Sequence, residues 1–394
     1  MIGQRWLALI VLFVARGSMG YQFQSVASLA SPIDSEFRIG YAAIGTLIGL
    51  YTIPGAFLSL PGGLFGVRFG DRAVCVAGLL LMIGGGLLTC VGGDSVLPLT
   101  AGRLISGAGA ILFNLVLTKM ATDWFAGREI VFAMGTLMSS WPFGIALGLI
   151  VQGRIAEVAG WRTSMAVAAL FCLFSLVLVL TFYRPPPEVQ TAPVAKGGTW
   201  WNPPDRASLR SLLVACVAWG FFNLGLIVLL SFGAGLLAQR GWTMLDAAAV
   251  TSIPLWIAIL SIPIGGYIVQ RSKAPGLLAG MSYLAAAALV GLCLDAWPLL
   301  ACIVFGLAIG PGPGAIMALP SRVLRPEHRI TGLGIFGSLY AVIVGIGPWL
   351  AGRLAEAAHT PVAALLLGSA LFAACVPLMI LFEATVRRPE TPPT

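Results

Sequence analysis

Twelve apolar runs, each long enough to cross a bilayer, follow one another along the 394 residues: 6–30, 40–66, 73–93, 97–121, 130–152, 162–183, 208–238, 247–270, 275–294, 297–320, 330–352 and 361–383. A helical span needs about 20 mostly apolar residues. Within lipid every backbone polar group must be satisfied inside the segment, so such runs fold as helices. Charged residues make up only 10% of the chain, against about a quarter in soluble domains. The expected fold class is an all-α membrane protein with twelve transmembrane helices.

Gln4-Arg5 followed by Trp6–Val14 has the look of a signal peptide. The apolar run continues through Arg16 and Gly20 to Ala30, so it is read as a retained first helix, with cleavage as the alternative. Most connections are short. Residues 184–207, rich in proline and polar side chains, are expected to be a linker between an N-terminal six-helix bundle (1–183) and a C-terminal one (208–394).

Charge and internal similarity agree with that division. With the N-terminus placed in the cytoplasm, the inner segments hold sixteen Lys and Arg, and the outer segments five, the asymmetry expected of an inner-membrane protein with both termini inside. Gly153-Arg154-Ile155-Ala156-Glu157 after span five returns as Gly352-Arg353-Leu354-Ala355-Glu356 after span eleven. Pro61-Gly62-Gly63 returns as Pro263-Ile264-Gly265-Gly266. Both offsets are close to half the chain, as for two pseudo-symmetric parallel repeats.

Several function classes are disfavoured. The net charge of +8 is spread through loops without a basic cluster interleaved with aromatics, so nucleic acid is not an expected partner. The seven cysteines lie singly in apolar runs, and both histidines, His328 and His359, fall in loops. No metal or other cofactor is expected. No G-x-x-x-x-G-K-[ST] occurs, no span carries a His, Asp or Glu at membrane depth to serve a hydrolytic nucleophile, and the linker is too short for a signalling domain. An enzyme is not expected.

Leu60-Pro61-Gly62-Gly63-Leu64-Phe65-Gly66-Val67-Arg68-Phe69-Gly70-Asp71-Arg72 resembles the loop between helices two and three of the major facilitator superfamily, P-x-G-x-x-x-D-R-x-G-R-R. The resemblance covers essentially the whole chain. Arg103-Leu104-Ile105-Ser106-Gly107-Ala108-Gly109-Ala110 resembles the family's R-x-x-x-G-x-G-x stretch. The resemblance implies close packing at Gly63, a tight turn at Gly70, and Arg68 and Arg72 holding the loop at the membrane surface. Val67 stands where the family has an aspartate and Asp71 where it has a basic residue, so Asp71 is either a displaced latch or a solvated loop residue. In span five, Trp141-Pro142-Phe143-Gly144 and Ala146 depart from the glycine pair of the drug–proton antiporter branch.

No carboxylate sits well inside a span, yet Arg16 and Arg103 do. An arginine at a helix centre costs about 2.5–3.5 kcal/mol and normally faces the bundle interior with a partner. Arg16, near the midplane, is expected either to meet a bound anion or to bond carbonyls of a neighbouring helix. Its lack of an acid partner resembles cyanate-type permeases. Arg103 lies near one end of span four, where snorkelling is easy, with Asn114 on the same helical face. Tyr51, Trp141, Trp219, Asn223, Trp256 and Tyr340 are further candidates for a substrate surface or for packing. Gly310-Pro311-Gly312-Pro313-Gly314 must interrupt span ten, as a hinge, gate or kink. Together these features predict a monomeric transporter among membrane lipids, carrying a small anionic solute, organic or inorganic, by alternating access. The runner-up is an exporter of amphipathic or neutral compounds.

Overall fold

The computed structural model describes residues 2–91, 95–125, 129–186, 202–272, 275–295 and 297–386. Most of the linker, together with Arg128, Lys196, Lys273, Arg387 and Arg388 of the charge count, lies outside them. In chain order the helices are α1 (Ile2–Ser28), α2 (Ala30–Phe37), α3 (Gly40–Gly49), α4 (Gly55–Phe69), α5 (Asp71–Leu88), α6 (Leu97–Phe125), α7 (Ile130–Ala159) and α8 (Trp161–Phe182). They continue with α9 (Arg206–Gln239), α10 (Met244–Ser272), α11 (Pro275–Cys293), α12 (Pro298–Ala308), α13 (Pro311–Met317), α14 (Leu319–Val323), α15 (Arg329–Ala357) and α16 (Val362–Val386). Among the described residues, ten helical stretches are long and apolar enough to cross a membrane, and the shorter α3 and α11 are apolar as well.

Among the described residues, two of the twelve spans are broken. The interruption of span ten falls where its glycines and prolines predict it, between Ala308 and Pro311. Span two, expected as one helix over 40–66, is instead α3 and α4 joined by a turn over 50–54. Pro54 has no N–H to return to the carbonyl four residues back, and the Thr52 hydroxyl bonds the Gly49 carbonyl at 2.9 Å. Span one runs from Ile2 and is followed by α2 lying beyond its end.

Helices pack through small residues, as expected where lipid removes the hydrophobic drive between them. Gly78 and Gly85 of α5 lie against the backbone of Gly109 and Gly102 of α6. Buried apolar side chains form two clusters. One is drawn almost wholly from 8–183 around Leu12, Phe113 and Leu137. The other is drawn from 212–382 around Val228, Phe305 and Phe372. α1 contributes Leu12 and Ala15, both fully buried, to the first cluster.

The two bundles meet along two seams. In one, α3 and α4 face α15, with Gly45 against Pro348, Gly49 against Gly345 and Gly337 against Ser59. In the other, α7 faces α10, with Gly153 against Leu245 and Gly135 near Pro263. The repeated glycines take matching positions, because Gly153 touches the start of α10 and Gly352 touches Tyr41 at the start of α3.

Candidate functional site

α1 and α7 approach backbone to backbone, with Gly17 and Gly20 against Ser140, Trp141 and Gly144. That contact places Arg16, halfway along α1, beside a carbonyl that α7 cannot satisfy. Met138 would normally receive the N–H of residue 142, but Pro142 has none. Arg16 Nη1 fills the gap, donating to the carbonyls of Met138 at 3.3 Å and Leu137 at 2.9 Å. The Met138 sulfur lies 3.4 Å from the same nitrogen. Arg16 Nε donates to Asn114 Oδ1 at 3.3 Å. All these partners are neutral, and none of the ion pairs among the described residues includes Arg16. Its Nη2 has no hydrogen-bond partner among the described residues and is not sealed from access, and the side chain is only part-buried.

The C-terminal bundle brings a second group of side chains near Arg16. Tyr340 of α15 is within electrostatic reach of the Arg16 guanidinium. It packs against both apolar clusters. Its ring stacks on Trp219 of α9 at 6.2 Å and 29°, and Trp219 stacks on Phe222 at 6.0 Å and 5°. Asn223 donates to the Trp219 carbonyl at 2.8 Å, which leaves its side-chain oxygen able to accept. Trp141, one turn beyond Met138, leans on Phe23 at 5.3 Å. Arg16, Asn114, Trp141, Trp219, Asn223 and Tyr340 are all part-buried at middle depth. Among the sequence candidates the structure links Arg16 with Asn114, and Tyr340 with Trp219 and Asn223.

Arg103 and Tyr51 belong elsewhere. Arg103 is 1% exposed. It donates through Nε to Leu47 O at 3.0 Å, through Nη1 to Gln22 O at 3.0 Å, and through Nη2 to Phe23 O and Ile48 O at 3.1 and 3.5 Å. The end of α3 explains this. Tyr51 N turns back to Ile48 O rather than Leu47 O, so the break in span two orphans the Leu47 carbonyl and Arg103 caps it. The guanidinium also lies 4.5 Å over the Tyr51 ring. Tyr51 is 2% exposed and donates to Gln22 Oε1 at 3.2 Å. The expected snorkelling of Arg103 is therefore replaced by a buried cap. Trp256 is 37% exposed and meets Phe143 edge-on at 5.9 Å, apart from the Arg16 group.

At the end of the molecule near the N-terminus, Gly70 turns the chain at φ +83° between α4 and α5. Asp71 pairs with Lys119 of α6, which also reaches Asp123 at 3.2 Å. Arg72 donates to Leu180 O at 2.9 Å, and Arg68 is exposed beside Phe69. Asp71 and Arg72 thus hold elements of one bundle together. Gly63 lies within α4. Gly310 and Pro311 press on Ser261 and Gly265 of α10, with Pro313 within α13.

Three contacts escaped the sequence reading. Gln24, 1% exposed, donates across the bundles to Leu230 O at 3.3 Å. Gln152 donates to Tyr21 O at 2.7 Å within the first bundle. Ser139 donates to Ile259 O at 3.2 Å across the second seam. That carbonyl is freed by Pro263, four residues on, as Met138 O is freed by Pro142. Glutamines inside apolar runs, and prolines four residues past a carbonyl, were the available signals. Beyond Gln24, at the end of the molecule opposite the N-terminus, a cavity of about 590 Å3 opens between the bundles, lined among others by Ser28, Asp34, Tyr41, Ser231 and Gln239.

A two-bundle helical membrane protein with polar groups converging at mid-depth is the architecture of a solute transporter. The family model for the Major Facilitator Superfamily matches residues 9–326 and 231–394, and the chain belongs to that family. It is 24% identical to a hexuronate transporter of Bacillus subtilis, over 93% of this chain and 92% of that one. It is 25% identical to an MFS-type efflux pump of Mycolicibacterium smegmatis, over 93% and 88%. Its fold superimposes on the xylose transporter of E. coli in a partially occluded inward open conformation, with a TM-score of 0.75 at 14% identity, covering 96% and 99%.

Proposed function

We propose that this transporter carries a small anion by alternating access, with Arg16 as the cargo's counter-charge. The observation that carries the reading is the open Nη2 of a mid-depth guanidinium held entirely by neutral groups. Such a charge favours the state in which an anion neutralises it. Asn114, whose oxygen Arg16 fixes, has an amide nitrogen with no hydrogen bond among the described residues. The hexuronate relative supports a carboxylate as cargo. The Lys/Arg asymmetry supports an inner-membrane location with both termini in the cytoplasm. Direction and coupling are open to anion–proton symport, exchange or uniport.

Uptake of labelled carboxylates into proteoliposomes tests the proposal. Losing one charge-assisted contact is worth about 1.5–3 kcal/mol, or about 10–100-fold. Arg16→Gln should lower anion uptake by that factor while the protein stays folded, and Arg16→Lys should retain part of it. Undiminished uptake by Arg16→Gln overturns the reading. The Trp219–Tyr340 stack and the efflux-pump relative favour a second reading, export of amphipathic compounds. Loss of hydrophobic-dye efflux in Trp141→Ala, with Arg16→Gln fully active, would establish that one instead.

A further inference from the structure

The geometry points to an aromatic or similarly flat, unsaturated monocarboxylate as the cargo of the Arg16 site, in preference to a sugar acid or a dianion. This inference rests on the anion reading above and deepens it through three independent features of the site.

The first feature is charge. Arg16 is the single mid-depth cation with an open N–H among the described residues, because Arg103 spends its nitrogens on carbonyls behind Tyr51. The site therefore neutralises one negative charge. A second carboxylate on the cargo would lie among Met138, Trp219 and Tyr340 without a partner, where an unpaired charge is costly.

The second feature is the aromatic group near that cation. Tyr340, Trp219 and Phe222 form a run of near-parallel rings, at 6.2 Å and 29° and then 6.0 Å and 5°. The outer ring of this run, Tyr340, is the one within electrostatic reach of Arg16. A flat apolar body carrying one carboxylate can lie against the part-buried Tyr340 and Trp219, which Phe222 backs from the core, while its charged end meets Nη2. Aromatic contacts of this kind add affinity beyond simple burial.

The third feature is the scarcity of further polar groups. Beyond Arg16, the assembled side chains offer Asn114 Nδ2, Asn223 Oδ1 and the Tyr340 hydroxyl, which makes no hydrogen bond among the described residues. A sugar acid brings several hydroxyls, and those left unpaired on leaving water oppose binding. The flat monoanion leaves none.

Titration calorimetry on the purified full-length chain tests this with benzoate, phthalate, glucuronate and acetate. Benzoate should bind at least about 10-fold more tightly than each of the others, the discrimination expected of one apolar contact or one unpaired polar group. Trp219→Leu should collapse the benzoate-to-acetate affinity ratio toward unity. Tyr340→Phe, which keeps the ring, should preserve that ratio, and it guards against misfolding of the leucine variant. Glucuronate or phthalate binding as tightly as benzoate overturns the inference while leaving the anion reading intact. So does an unchanged ratio in folded Trp219→Leu. Binding of no carboxylate, or binding by Arg16→Gln as tight as by the unaltered protein, overturns both.

Discussion

Replacing Arg103 by methionine separates a structural arginine from a cargo-binding one. The substitution keeps an apolar side chain of comparable reach and removes four hydrogen bonds to carbonyls of α1 and α3, together with the contact over Tyr51. Interhelical hydrogen bonds in membranes average about 0.6 kcal/mol and a cation–π contact adds about 0.5–1, so the loss is about 3 kcal/mol. At about 2–4 °C per kcal/mol for a bundle of this size, the unfolding midpoint should fall by about 6–12 °C. Thermal unfolding of the purified protein reads this directly, with anion binding measured in parallel below the transition. Arg103→Met should bind as wild type when cold and unfold early. An unchanged midpoint with anion binding abolished would refute the cap and make Arg103 a ligand of the cargo.

Two further outcomes follow from the ends and the seams. Gly49→Val sets a side chain against the Gly345 carbonyl, with no flexible neighbour to yield, so it should arrest transport and weaken cross-linking between cysteines placed at Leu50 and Ile346, whereas Gly84→Val, at a glycine with open space around it, should do neither. Glu36 accepts from Arg162 and Trp161, and these bonds hold its carboxyl below its usual range. Because the folded value is the lower one, the clasp is fully present above the ordinary glutamate pKa and is lost as pH falls through the folded value. Hydrogen exchange at the α2–α8 junction should therefore rise in acid, and in Glu36→Gln it should be raised already at neutral pH with a weaker acid response.

Much of the architecture was legible because its causes are local. Apolar length gives the spans, paired glycines and prolines give the break in span ten, and the two GR-x-A-E copies give the repeat. Arg16 was legible as an unneutralised charge. What holds it is only half visible: Pro142 stands out in the sequence, while its physical effect, an orphaned Met138 carbonyl, depends on α1 lying within reach. The break at 50–54 has its mark in Pro54, yet Pro61 and Pro142 sit inside continuous helices, so a proline alone does not announce it; the cap supplied by Arg103 is not legible, since a carbonyl's missing partner leaves no mark in the residue that bears it. The contacts of Gln24 and Ser139 are not legible because their partners are main-chain atoms of the other bundle; Pro263 marks the freed carbonyl at 259 without saying what meets it.

The glycine-lined seam between α3–α4 and α15 has a mechanical corollary. Gly45, Gly49, Gly345 and Gly352 let main chain rest on main chain, so few interlocking teeth oppose a small rotation of one half on the other, and the surface behaves as a smooth bearing. Its tolerance is one-sided. Any added carbon acts as a wedge, so the positions most sensitive to replacement along this seam are those that contribute no side chain at all.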